Sequence, residues 1–323
     1  MQQAIFAVGD EPYSLWEEDI FVRAVDFLDG LDPEFFTYLL KAHQGASDEQ
    51  RAAVGIRLAL HHAVETMFSL LGALVQAPDC PYAWIARCSN IELREVVRRI
   101  SEGDQTLLSK FKLPSMGWEP IAALVFQGFE PGSERQKLAV QGFSKLWKGL
   151  AGELLTEAVA DEYNATKHGF RTRPGGFKIE IGPVTSPDMR PEDVPMTVLG
   201  ESKYGAMFYR VEKFGGKGSR HLRSQRVAMN WSPTRDSLLL HLAQLSIQNT
   251  VTALKLANKF PAEQCRYQWP DDETDFAGPW RHSPGVTSIT LPHTVDPSGV
   301  ARDIPKADLL KLIRDALGGN VGP

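Results

Sequence analysis

From Asp161 to Arg173 the chain reads Asp-Glu-Tyr-Asn-Ala-Thr-Lys-His-Gly-Phe-Arg-Thr-Arg, a run whose side chains suit acid–base chemistry on a phosphate ester. On helical spacing Asp161, Asn164 and His168 share one face at i, i+3 and i+7. A histidine exchanges a proton near neutral pH, its ordinary pKa being about 6.5. An asparagine one turn earlier is placed to fix the imidazole tautomer or to hold a phosphate oxygen. Lys167, Arg171 and Arg173 gather cationic groups within a turn or two of His168, and arginine forks suit bidentate contact with phosphate. Cations also complement the negative end of any helix, so the same residues satisfy a purely structural reading as a helix terminus.

Two other regions bear on this one. His61, His62 and Glu65 lie on an earlier helix, where they either face the Asp161–Arg173 run across a bundle or form a surface pair at i, i+4. Lys213 to Arg226 is the densest basic stretch, with Lys217, Arg220 and Arg223 among five Lys/Arg in fourteen residues. Its glycines let backbone amides approach a phosphate, although a hairpin between strands also explains them. It lacks the GxxxxGK[ST] order of a P-loop. Neither GxSxG nor a GxGxxG after a strand occurs, so serine hydrolases and dinucleotide enzymes have no support. His61, Glu65, Asp161 and His168 are too far apart in sequence to read as a metal set, and no HExxH is present; no metal and no cofactor are expected.

Composition bounds the rest. With 43% hydrophobic and 23% charged residues the chain is ordinary globular material, large enough at 323 residues to bury a substantial core. Cys80, Cys88 and Cys265 match no CxxC spacing and make no disulfide framework, which points to reduced thiols and the cytoplasm. The first residues lack the basic and apolar regions of a signal peptide. Apolar runs such as Met67 to Val75 fall short of the roughly 18 residues that span a bilayer, so no membrane partner is expected. A net charge of −5 argues against a generic nucleic-acid coat while leaving room for a local basic site.

The elements that must position these residues are mostly helices. Asp19–Leu28 and Asp32–Lys41 carry helical periodicity, with Pro33 in the first turn of the second. Asp48 to Gln76 places Ile56, Leu60, Ala63, Met67, Leu70 and Leu74 on one face and stops before Pro78. Asn90 caps a helix over Ile91–Ser101, with Arg94, Arg98 and Arg99 turned outward and Gly103 ending it. Glu119–Gly128 reads as a short helix and Glu134–His168 as a single long one, capped by Gly169. Beyond residue 170 alternation predicts strands over Phe177–Ile181, Met196–Leu199, Ala206–Lys213 and Val227–Trp231, a small antiparallel sheet. Ser232–Pro233 starts a helix running to about Phe260, Ser288–Leu291 is a short strand, and Lys306–Leu317 a final amphipathic helix.

The segment Tyr163-Asn-Ala-Thr-Lys-His168-Gly resembles the R-N-x-x-x-H signature of the HEPN superfamily, with Tyr163 standing where that signature has arginine. Arg57 to Leu71, containing Glu65, is similar to the acidic-residue-bearing first core helix of that group. The resemblance covers roughly residues 48–168 and 233–260, somewhat under half the chain. It implies a mainly α, HEPN-like helical bundle carrying a small antiparallel β insertion. It also implies a homodimeric, metal-independent ribonuclease of the toxin or phage-defence type, His168 transferring the proton with Asn164 and Tyr163 beside it. Lys167, Arg171, Arg173, Lys217, Arg220 and Arg223 would hold RNA or nucleotide, with Asp161, Glu65 and His62 in support. A non-catalytic nucleotide-, RNA- or protein-binding module derived from such a fold is the alternative. The expected organisation is a helical segment over 1–47, a bundle core over 48–170, a β-rich insertion over 171–232, a returning helix over 233–262 and an extension over 263–323.

Overall fold

Local capping sets the ends of the two longest helices of the core. In a computed structural model of the chain, which describes residues 1–32, 34–168, 171–184, 186, 188–214, 221–270, 272–292, 301–302 and 304–318, helix α3 spans Glu49–Gln76. Its Asp48 side chain accepts from the Arg51 N–H, satisfying one of the amides a helix start leaves open. Helix α9, Pro233–Ala257, starts in the same way from Ser232 with proline in its first turn. Ile56, Leu60, Ala63, Met67, Leu70 and Leu74 of α3 are all buried, as their spacing predicts. Gly72 has a specific reason: a Cβ there would lie 2.4 Å from Cη2 of Trp84, a fully buried ring on helix α4, Pro81–Arg87.

Around α3 and α9 pack α1 (Ile20–Gly30), α2 (Phe35–Gln44), α5 (Asn90–Glu102), α6 (Trp118–Val125) and α7 (Glu134–Leu155). One apolar cluster runs through α3, α5, α6, α7 and α9, so helices from before and after the β-rich region share a core. α9 is enclosed almost all round between Leu239 and Leu254, and its polar residues there are matched: Ser246 Oγ accepts from Trp147 Nε1 at 3.0 Å, and Asn249 bonds the Gln268 backbone both ways. Among the described residues α3 alone is long and apolar enough to cross a membrane, with mean hydropathy 1.4 in its apolar window, and 67% of that window is buried inside the protein. The three cysteines are free.

The β structure is divided. Strands β1 (Gln2–Val8) and β2 (Glu11–Glu17) form an antiparallel hairpin at the N-terminus, so segment 1–47 does not open on helix as expected. Alternating burial along β2 and a tight turn at Gly9, whose φ is +61°, explain the hairpin. Its turn is tied down by Gln76, which exchanges two hydrogen bonds with the Gly9 backbone, and by Arg99. Arg99 is buried rather than outward, donating to Asp10, Asp104 and Thr106. The cap of α5 is Ser89, one residue before the expected Asn90, in a complete capping box with Glu92.

Beyond residue 170 there are two sheets rather than one. In the larger, β3 (Thr172–Pro174), β6 (Gly205–Phe214), β7 (His221–Asn230) and β8 (Ser288–Pro292) run antiparallel in that order, with β9 (Ala301–Arg302) also on β7. The smaller joins β4 (Lys178–Ile181) to β5 (Thr197–Glu201). The chain is thus mainly α with small antiparallel sheets. A second apolar cluster, including Val54 of α3, Ala165, Phe208, Val227 and Trp231, seats the larger sheet on the bundle. Helix α10, Lys306–Gly318, closes the described chain. Pro33 and Gly169, expected at helix ends, lie outside the described residues.

The long helix expected over Glu134–His168 is interrupted. Thr156 is extended, with φ −71° and ψ 128°, and a separate helix α8 covers Glu157–Lys167. Arg94 of α5, expected outward, turns in and donates to the carbonyls of Leu154 and Leu155. Those carbonyls belong to the last turn of α7, where a helix end leaves acceptors open, so a cation from another helix stabilises the break.

Candidate functional site

The break at Thr156 redirects α8 so that Glu162 enters the bundle. Glu162 is 1% exposed and meets Arg57 of α3 through two parallel hydrogen bonds, Nε to Oε1 at 3.2 Å and Nη2 to Oε2 at 2.9 Å. Nη1 of the same guanidinium donates to Asp236 Oδ1 at 3.2 Å, in the first turn of α9. Three core helices are therefore joined by one buried arginine between two buried carboxylates. The geometry is the fork-to-carboxylate arrangement that arginine offers and lysine does not.

The two carboxyls respond differently. Burial pushes Glu162 up, but the Arg57 charge and His61 more than offset it, and the carboxyl titrates below its ordinary range. Burial also pushes Asp236 up, and Arg57 and Arg235 only partly offset it, so that carboxyl stays above its ordinary range. Arg57 is desolvated, yet its two carboxylate neighbours hold it charged. His61, one turn after Arg57, brings Nε2 to 3.6 Å from Glu162 Oε2, longer than a hydrogen bond, and that buried nitrogen has no hydrogen-bond partner among the described residues.

Tyr163 follows Glu162 and points across to α3. Its hydroxyl donates to Glu65 Oε2 at 3.0 Å, and its ring stacks on His61 with centroids 5.0 Å apart. Lys167 Nζ covers the ring at 5.0 Å and lies 3.8 Å from Glu65. Burial and the Glu65 charge push the phenol well above its usual range, so Tyr163 is a neutral donor at physiological pH. His61, Glu65, Tyr163 and Lys167 thus form one contact group. His62 does not join it: it is exposed on α3 with its ring against Phe36 of α2, 5.3 Å between centroids.

The helical face expected to hold Asp161, Asn164 and His168 is met in part. Asp161 and Asn164 line a cavity of about 420 Å³ between α3, α5, the end of α7 and α8. α8 ends at Lys167, and His168 leaves helical geometry with φ −100° and ψ 82° while donating its backbone N–H to the Asn164 carbonyl. Both side chains are exposed, and neither makes a hydrogen bond among the described residues. Asp161 Oδ2 accepts from Arg210 of β6 at 3.4 Å.

The cations divide by role. Arg171 folds back onto the end of α8: its backbone N–H donates to Ala165 O at 2.7 Å and its Nε to His168 O at 3.0 Å. That is helix-end capping, and it also fixes the turn bearing His168. Arg173 is exposed on β3, with no partner among the described residues. Arg223 of β7 pairs with Glu212 of β6. Lys217 and Arg220 lie outside the described residues. Among the described residues no group of three or more His, Cys, Asp or Glu is arranged to hold a metal ion.

Sequence reasoning missed Arg57, Glu162 and Asp236 as a unit. A signal existed in Arg57, a charge beside the buried positions Ile56 and Leu60 of α3, where a partner is required. Comparison of the chain with protein-family models, with curated proteins and with solved structures finds no match in any of the three.

Proposed function

We propose that the protein is a HEPN-like, RNA-directed protein that cleaves RNA without a metal, with His168 at the end of α8 as its proton-transfer group. The observation that carries this reading is the contrast on α8: Glu162 is locked to Arg57 in the interior, while the side chains of Asn164 and His168 stand exposed and without hydrogen bonds among the described residues. Polar groups held on a fixed helix end and left unpaired are available to a ligand. Lys167, Arg171 and Arg173, within five residues of His168 along the chain, bring positive charge suited to phosphate.

In the proposed reaction His168 removes the proton of a ribose 2′-hydroxyl. The 2′-oxygen attacks the adjacent phosphorus, the bond to the 5′-oxygen breaks, and that oxygen takes up a proton. The products are a 2′,3′-cyclic phosphate and a 5′-hydroxyl. General base help of this kind contributes roughly 10²–10⁴-fold, and nearby cations stabilise the charge that develops. Asn164 orients the imidazole or a phosphate oxygen. Tyr163, bound to Glu65 and stacked on His61, positions the turn. The working form is a cytoplasmic homodimer, in which a second copy supplies groups facing the exposed turn.

Incubation of the purified protein with mixed RNA in EDTA tests this. Cleavage that leaves 2′,3′-cyclic phosphate ends supports the proposal; RNA left intact, or products with 3′-hydroxyl ends, overturns it. One observation favours binding without cleavage: the position of the signature arginine is held by Tyr163, which brings no charge and is already engaged with Glu65. Retention of RNA by the wild type, without products and with loss on Arg173→Ala, is the outcome that selects it.

A further inference from the structure

We infer that the cavity between α3, α5, α7 and α8 is a binding site for a small organic cation, an apolar body carrying an amidinium or ammonium head. The inference is independent of any action on RNA. At about 420 Å³ the cavity is within the range of small-molecule sites. Its floor is apolar, formed by Leu60, Leu93 and Leu150, each no more than 3% exposed.

The charges select the ligand. Four carboxylates line the cavity, Glu65, Glu153, Glu157 and Asp161, against the guanidiniums of Arg57 and Arg94. Both guanidiniums are committed, Arg57 to Glu162 and Asp236, and Arg94 to the α7 carbonyls. The charges that pair directly with the lining are Lys167, Arg210 and Arg235 against Glu162 and Asp236, so a negative excess of one remains. Glu157 and Asp161 share the single guanidinium of Arg210 with Glu212, at 3.4 to 3.7 Å, loose contacts that leave carboxylate oxygens for a ligand. A negatively lined cleft with low-dielectric walls favours a small cation over an anion of the same shape. His61 also stands at the wall; its buried Nε2, 3.6 Å from Glu162 Oε2, has no hydrogen-bond partner among the described residues.

A matched pair of probes tests this on the full chain without RNA. Benzamidine and benzoate have the same ring and opposite charge, and binding of each is read by calorimetry and by ligand-observed NMR at millimolar concentration. Benzamidine is expected to bind and benzoate not. The double variant Glu157→Gln/Asp161→Asn is expected to weaken benzamidine about five- to tenfold, and Val159→Trp, which fills the space from the α8 side, to abolish binding. Equal binding of the two probes, no binding of benzamidine, or benzamidine binding unaffected by both variants overturns the inference. The double variant alters only groups at the rim, so it keeps the test valid if Val159→Trp fails to fold.

Discussion

On its inner side α8 presents Glu162, 1% exposed and bound twice to Arg57; two residues later, on its outer side, the Asn164 side chain is exposed and makes no hydrogen bond among the described residues. The inner groups are charged and fully committed, whereas the outer ones are polar and uncommitted. What separates them is desolvation: a carboxylate removed from water must find a partner of opposite charge or lose its ionisation, while a solvated amide or imidazole has no such requirement. The inner set therefore accounts for how α8 is held, and the outer set is what the held helix offers to a ligand. The cations of the motif divide along the same line, since Arg171 caps the helix while Arg173 has no partner among the described residues.

The comparison breaks if the inner set is dispensable. Glu162→Ala leaves the Arg57 guanidinium buried with only Asp236, and unfolding free energy in denaturant is expected to fall by about 3–5 kcal/mol. A loss below about 1 kcal/mol would mean that the ion pair does not hold the helix.

Acidification sharpens the same point. The folded-state pKa of Glu162 lies below the ordinary 4.5, so its contribution is present above that value and is lost as pH falls through the folded one. Asp236 is shifted the other way and works in the opposite sense over the acid range, because its folded form holds the proton more tightly. The stability gap between wild type and Glu162→Gln is therefore expected to shrink as pH falls below 4.5. A gap that widens on acidification would contradict the assignment of charge.

Tyr163→Phe tests the border between the two sets. Loss of its hydrogen bond to Glu65 is expected to cost about 1–2 kcal/mol in thermal unfolding. Because the phenol positions rather than reacts, RNA cleavage is expected to change only a few-fold; complete loss of cleavage with little loss of stability would instead make Tyr163 a reacting group.

Much of the fold is legible where its cause is local. Asp48 and the Ser232–Pro233 pair mark helix starts, Gly103 a helix end, and the α3 stripe its buried face, because capping and periodicity act over a few residues. The break at Thr156 is not legible, since the group that stabilises it is Arg94, sixty residues away on α5. The same holds for the buried cluster: Arg57, Glu162 and Asp236 meet only once three helices pack, with sequence separations of 105 and 179. The N-terminal hairpin did carry a local signal, Gly9–Asp10 between alternating residues, but the segment is short and is held by Gln76 and Arg99 from other helices. Of the motif, residue types point to His168 and Asn164, yet helical spacing places His168 on a face that the chain leaves after Lys167.

The smallest expected change in stability accompanies the largest expected change in function. His168 is exposed, so His168→Gln is expected to alter unfolding free energy by no more than about 0.5 kcal/mol. Melting and metal-free RNA cleavage measured on the same preparations of wild type and His168→Gln test the central claim most directly. An unchanged melt with cleavage reduced by roughly 10²-fold or more is the predicted result; an unchanged melt with cleavage at the wild-type rate would contradict it.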